Sequence, residues 1–119
     1  MKNVIYKDYF EIYTDGSKIN NRTGCSYIVN GIACKVRLTK YSSVFSAELY
    51  AILKSLKYIK INNNSKFVIY SDSLSTIESI KNNKNKNSLN IRISQILSNI
   101  KKKIIVFEWV PSHIDIKGR

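Results

Sequence analysis

Residues 44–72, VFSAELYAILKSLKYIKINNNSKFVIYSD, contain the change of hydrophobic period that decides the fold. From Val44 to Ile61 the apolar positions Phe45, Leu49, Ile52, Leu56 and Ile59 step by four, three, four and three, as on a helix with one buried stripe. Lys54, Lys57 and Lys60 lie off that stripe, and Ser42 or Ser43 is placed to cap its start. Asn62-Asn63-Asn64-Ser65 breaks the helix, and residues 67–71 are a short apolar run between polar neighbours, the pattern of a buried strand. A strand, a long helix and another strand predict a βαβ crossover, and therefore an α/β sheet with a parallel pair.

Upstream, residues 9–14 are aromatic and β-branched and run into Asp15-Gly16-Ser17, which reads as a first strand delivered into a turn. Residues 25–37 form a hairpin around Asn30-Gly31, the dipeptide suited to the positive φ angles of a two-residue type I′ loop. With those two residues as the loop, Val29 faces Ile32, Tyr27 faces Cys34 and Cys25 faces Val36, all on one apolar face. Ser26, Lys35 and Arg37 fall on the other face. The two cysteines are then diagonal neighbours, a poor geometry for a bridge and a good one for packing.

Downstream, residues 73–80 fit a short helix with Leu74, Ile77 and Ile80 at spacing three, and residues 82–87 form a polar, lysine-rich connector. Leu89, Ile93, Ile96, Leu97 and Ile100 predict a further amphipathic helix, and Ile104–Trp109 a last strand before Pro111 forbids regular pairing.

The chain has 119 residues, 44% of them hydrophobic, the size and composition of one globular domain spanning residues 1–119. Its apolar runs are too short to cross a membrane, and the charges at Lys2, Lys7, Asp8 and Glu11 leave no room for a secretory apolar segment, so an intracellular protein is expected. Two cysteines without CxxC or Cys/His spacing exclude a disulfide framework and a zinc site. Twenty Lys and Arg against eight Asp and Glu give a formal net charge of +12, an excess that suits nucleic acid or another anionic surface. The abundance of Lys, Asn and Ile also fits AT-rich coding.

With acidic residues so scarce, their positions matter. Asp15 stands at the end of the first strand and Asp72 at the end of the strand after the crossover helix. The carboxyl ends of neighbouring parallel strands are where α/β sheets place their sites. Glu48, three residues after Phe45 and four before Ile52, is turned by helical geometry toward the sheet. Three converging carboxylates repel one another unless a divalent cation neutralises them, and an all-oxygen donor set favours magnesium or manganese. Two such ions suit in-line phosphoryl displacement.

Thr14-Asp15-Gly16-Ser17, Ser46-Ala47-Glu48-Leu49, Ser71-Asp72-Ser73 and Val110-Pro111-Ser112-His113, in this order, resemble the type 1 ribonuclease H domain, particularly the versions carried by retroelements. The resemblance implies a five-stranded mixed sheet, strands 1–3 antiparallel and the rest parallel, with helices on its faces. It also implies two-metal, magnesium-dependent hydrolysis of the RNA strand of RNA/DNA hybrids, with manganese as the alternative ion. By motif, the resemblance makes Asp15 the carboxylate shared by both metals, and Glu48 and Asp72 ligands of one of them. The resemblance also implies that Glu48 contacts the ribose 2′-hydroxyl and that His113 assists proton transfer or product departure.

Gly16, Ser17 and Ser73 adjoin the carboxylates and are expected at the substrate, with Gly16 letting backbone approach a sugar-phosphate or simply forming a turn. Lys81, Lys84, Lys86, Arg92, Lys101, Lys102 and Lys103 follow one another without a carboxylate, where the family presents a basic surface to the hybrid; a solvated helix face is the plain alternative. Recognition by shape, through phosphates and 2′-hydroxyls, is expected.

The family pattern continues after the histidine with a fourth carboxylate and a final helix, whereas this sequence stops at Arg119 and Asp115 stands only two residues past His113. The expectation is therefore a domain truncated at its C-terminus and lacking the last helix. It is either a hybrid nuclease or a catalytically incomplete nucleic-acid-binding module. A reverse transcriptase or other domains of a retroelement polyprotein are the expected partners, the state monomeric, and the location nuclear or cytoplasmic.

Overall fold

The computed structural model describes residues 4–19, 22–39, 42–82 and 87–111. After a single 3-10 turn at Val4–Tyr6, the elements are β1 (Phe10–Ile19), β2 (Arg22–Val29), β3 (Ile32–Leu38), α1 (Val44–Ile61), β4 (Lys66–Ser71), α2 (Leu74–Asn82), α3 (Ser88–Asn99) and β5 (Ile104–Trp109). The five strands form one mixed sheet in the order β3-β2-β1-β4-β5. β1, β2 and β3 pair antiparallel, and β4 and β5 add parallel to β1. This is the sheet that the resemblance implied.

The hairpin register is the expected one: Val29 pairs with Ile32, Tyr27 with Cys34 and Cys25 with Val36. Asn30 and Gly31 both take positive φ, 52° and 77°, as a type I′ loop requires. Both cysteines are free; Cys25 is buried and Cys34 half-buried. α1 has the predicted bounds. Ser43 is its N-cap, accepting from the Ser46 amide at 3.0 Å, and Asn62 its C-cap.

Around α1 the core gathers Leu49, Ile52, Leu56 and Ile59 with Ile12, Phe67 and Ile69 from the sheet and Ile93 and Ile100 from the α3 region. The stripe is wider than its periodicity suggested. Ala47, Ala51, Leu53 and Ser55 are buried as well, because α1 packs against β1 and β2 on one side and α3 on the other.

The first strand departs from expectation. It does not stop at a turn over Asp15-Gly16-Ser17 but continues to Ile19, paired with β2 as far as Ile19–Arg22. The turn-type residues are there for reasons the local sequence hides, since tertiary pairing overrides their turn preference. What does end at Thr14 is the parallel pairing with β4, whose last partners are Thr14 and Ser71. Asp15 and Asp72 are each the next residue, so both lie at the carboxyl edge of the parallel pair.

A carboxylate cluster at the end of the parallel strands

Three elements meet here. β1 supplies Asp15, the first turns of α1 supply Glu48, and the residue after β4 is Asp72. One carboxylate oxygen from each lies within 4.8 Å of the others. The sequence expected this convergence. Asp15 and Asp72 are partly exposed, whereas Glu48 is 3% exposed.

Glu48 reaches the strand edge because Gly16 has no side chain. A Cβ there would stand 2.7 Å from the Glu48 amide nitrogen and 2.9 Å from the Ala47 carbonyl carbon, so α1 lies directly on the backbone of β1. That contact lets the Gly16 N–H donate to Glu48 Oε1 at 2.9 Å. Gly16 is thus required by the helix, in mid-strand and without a turn. The Ser71 hydroxyl donates to Glu48 Oε2 at 3.4 Å and accepts from the Ser73 amide at 3.1 Å.

Burial is the main influence on Glu48 and, with the negative charges of Asp72 and Asp15, pushes its pKa up to about 8. The Gly16 and Ser71 donors pull the other way without prevailing. A buried carboxyl crowded by two acids and offered two donors among the described residues is under-compensated, and a divalent cation would relieve it. Among the described residues the donor set is three carboxylates with no nitrogen or sulfur, which fits a hard cation such as magnesium or manganese.

Three supports were not legible beforehand. Thr14, buried beside the cluster, donates its hydroxyl to the Tyr70 carbonyl at 3.0 Å and ties β1 to β4 one residue before the acids. The Trp109 indole N–H donates to the Asp72 carbonyl at 3.3 Å, fixing the residue after β4 from the end of β5. Ser71 is the third. The only available signals were a polar residue at an inward strand position and an aromatic one residue before the loop at Val110, neither of which names a partner.

The other expected site residues separate. Ser17 is exposed one residue beyond Gly16. Ser73 caps α2, its Oγ accepting from the Thr76 amide at 3.3 Å. Lys81 and Arg92 are exposed on α2 and α3. His113, Lys84, Lys86 and Asp115 lie outside the described residues.

The grouping of Lys101, Lys102 and Lys103 with that basic surface is overturned by chain direction. The twelve residues of α3 carry the chain about 18 Å. β5 then starts opposite Lys66 and runs to Trp109 opposite Ser71, about 17 Å at ~3.3 Å per residue. Lys101–Lys103 therefore stand at the pole away from the carboxylates. Lys103 does not even face solvent freely. Its ammonium donates to the carbonyls of Ile59 (2.8 Å), Asn62 and Asn64 (3.2 Å), closing the C-terminal end of α1.

On the face of β1 and β4 turned away from α1, Tyr13 stacks on Tyr70 with ring centroids 5.0 Å apart. The Tyr70 hydroxyl donates to Glu11 at 3.2 Å and the Tyr6 hydroxyl donates to Glu108. These glutamates are structural partners of tyrosines and take no part in the cluster. No helix of the described residues is long and apolar enough to cross a membrane.

A family model described as RNase H matches residues 7–118, nearly the whole chain. No curated protein gives a significant match.

Proposed function

Because the chain belongs to the RNase H family, whose domain acts as a nuclease on RNA/DNA hybrids, we propose that it hydrolyses the RNA strand of such hybrids with divalent cations held by Asp15, Glu48 and Asp72. The observation that carries this reading is the meeting of the three carboxylates, with oxygens within 4.8 Å, at the carboxyl edge of the parallel strands. Magnesium is the natural ion for an all-oxygen site and manganese a competent substitute.

Bound divalent ions would supply electrostatic stabilisation of the phosphorane-like charge and acidify the attacking water. The chain's own residues orient and neutralise. Asp15, whose carboxylate lies within 4.8 Å of those of Glu48 and Asp72, is proposed as the ligand shared by both ions. Glu48 is held by Gly16 and Ser71 and turned toward its neighbours, which suits both ligation and contact with a ribose 2′-hydroxyl. Trp109 and Ser71 keep the residues around Asp72 in register. His113 is proposed as the group that moves a proton at the departing strand.

Lys81, Lys84, Lys86 and Arg92 are proposed to hold phosphates of the hybrid, giving affinity without sequence preference. A retroelement polyprotein is the proposed setting.

Hybrid cleavage measured with magnesium, then manganese, tests the reading. Metal-dependent cuts abolished by Asp15→Asn are expected. Cleavage surviving that substitution removes the mechanism, and salt-sensitive binding without any cutting assigns the chain to a binding module instead.

A further inference from the structure

β2 and β3 contain Arg22, Lys35 and Arg37 and no carboxylate. The strand register arranges them in rows. Asp15, Ser26 and Lys35 are cross-strand neighbours, and Ser17, Gly24 and Arg37 form the next row. Rows two residues apart point to the same side, and since the Cβ direction of Gly16 meets α1, these rows point away from it. Across the sheet Lys35 is about 10 Å from Asp15, and the two rows are about 7 Å apart.

Together with Arg22 these residues line one groove of about 1020 Å³ that has Asp15 at its edge. It is open, it is large for a small-molecule pocket, and three cations, Arg22, Lys35 and Arg37, line it together with hydroxyls, backbone and some apolar surface. No aromatic side chain lines it, so nothing there stacks a base, and the available chemistry is cations with long stems beside hydroxyls and bare backbone. That chemistry fits a chain of phosphodiesters, with Arg37 and Arg22 able to fork onto phosphate oxygens and Lys35 acting as a point charge.

We propose that this groove carries the RNA strand of the substrate on one side of the scissile phosphate, Lys35 and Arg37 each holding a phosphate. The inference rests on the hybrid-nuclease reading and adds to it a second basic track, on the antiparallel half of the sheet and separate from α2 and α3. It also explains why the hairpin's outer face is basic where an edge hairpin needs only to be polar.

The test is hybrid binding in EDTA across a salt series, where no cutting intervenes. Lys35→Gln with Arg37→Gln is expected to reduce the slope of log Kd against log salt by about 1.5 to 2, close to one for each phosphate contact removed. The affinity lost between about 50 and about 200 mM salt then shrinks by roughly 10-fold. Arg37→Lys should restore most of the second contact. Lys101→Gln with Lys102→Gln removes the same charge at the far pole and should leave the slope unchanged. All four side chains are exposed, so thermal melts should match the wild type.

Equal slopes for wild type and groove variant, or equal loss in the far-pole variant, overturn the proposal. Uncharged phosphate analogues near the cut identify the strand. In the RNA they should lower the wild-type slope and add nothing in the groove variant, and that behaviour from analogues in the DNA overturns the strand assignment. Magnesium-dependent cutting by the wild type reports separately. Cutting with an unaltered slope in the groove variant removes the groove alone, and an altered slope without cutting removes the nuclease reading alone.

Discussion

Replacing Glu48 by glutamine removes a charge while leaving an oxygen for the Gly16 N–H and an amide that the Ser71 hydroxyl oxygen accepts from. Burial, with Asp72 and Asp15, raises the Glu48 pKa from 4.5 to about 8 in the folded protein, while the unfolded chain keeps an ordinary value. Between those values the folded state holds a proton that the unfolded state has released. The stabilisation from the neutral carboxyl is complete below about pH 4 and is lost as pH rises through about 8.

At ~1.36 kcal/mol per pH unit of separation the ceiling is about 5 kcal/mol, and relaxation with entry of water brings it to on the order of 2–3 kcal/mol. For a domain of this size that is a melting shift of roughly 10 °C. In EDTA, Glu48→Gln should therefore melt within a few degrees of wild type near pH 5 and about 10 °C above it near pH 8. Millimolar magnesium should raise the wild type at pH 8 and leave the variant nearly unmoved. A variant that is less stable than wild type in EDTA at pH 8 would falsify the argument, because it would mean that the charge is compensated by the protein alone.

Two further outcomes follow from the packing around the cluster. Gly16→Ala forces a Cβ to within 2.7 Å of the Glu48 amide nitrogen and disturbs the Gly16–Glu48 hydrogen bond, so unfolding in urea should show a loss of about 2–4 kcal/mol together with loss of hybrid cleavage; an unshifted midpoint rejects the close helix-strand contact. Lys103→Met removes the ammonium from the last carbonyls of α1, so it should cost about 1.5–3 kcal/mol of stability while hybrid affinity stays at the wild-type value; a weaker Kd with unchanged stability would return Lys103 to the basic surface.

Much of the fold was legible because a few residues fix it locally. Asn30-Gly31 allows only one hairpin loop, and the loop sets every pair from Val29–Ile32 to Cys25–Val36. Ser43 and the asparagine run bound α1, and Pro111 lies just past the end of β5. The site was legible for a related reason. Three acids in a chain so poor in them, at two strand ends and on the inner face of a helix, have one place to meet once the strands are parallel.

What stayed hidden depends on contacts between distant segments. Asp15-Gly16-Ser17 has turn composition, yet Gly16 answers to Ala47 and Glu48, some thirty residues away, and the strand runs on. Lys101–Lys103 follow Arg92 closely in sequence, but α3 intervenes and takes them to the opposite pole, where Lys103 is used by α1. The tyrosine-glutamate pairs at Tyr70–Glu11 and Tyr6–Glu108 join strands whose adjacency no local pattern states.

These hidden contacts share a direction. Gly16, Ser71, Thr14 and Trp109 all act within one residue of Asp15, Glu48 or Asp72 or in direct contact with one of them; the first three tie one of the three contributing elements to another, and Trp109 ties the β4 end to β5. Once pH exceeds about 8 and Glu48 is ionised, charge repulsion among three carboxylates pushes β1, α1 and the β4 end apart in the absence of a cation. A hydrogen-bonded frame that holds them within 4.8 Å against that repulsion is a structure with part of its folding free energy committed to a preformed oxygen-rich site. Such a frame has a physical rationale only if something positive is bound there in the working state. That is why the pH dependence of the metal-free protein, more than its melting temperature at any single pH, is the informative measurement.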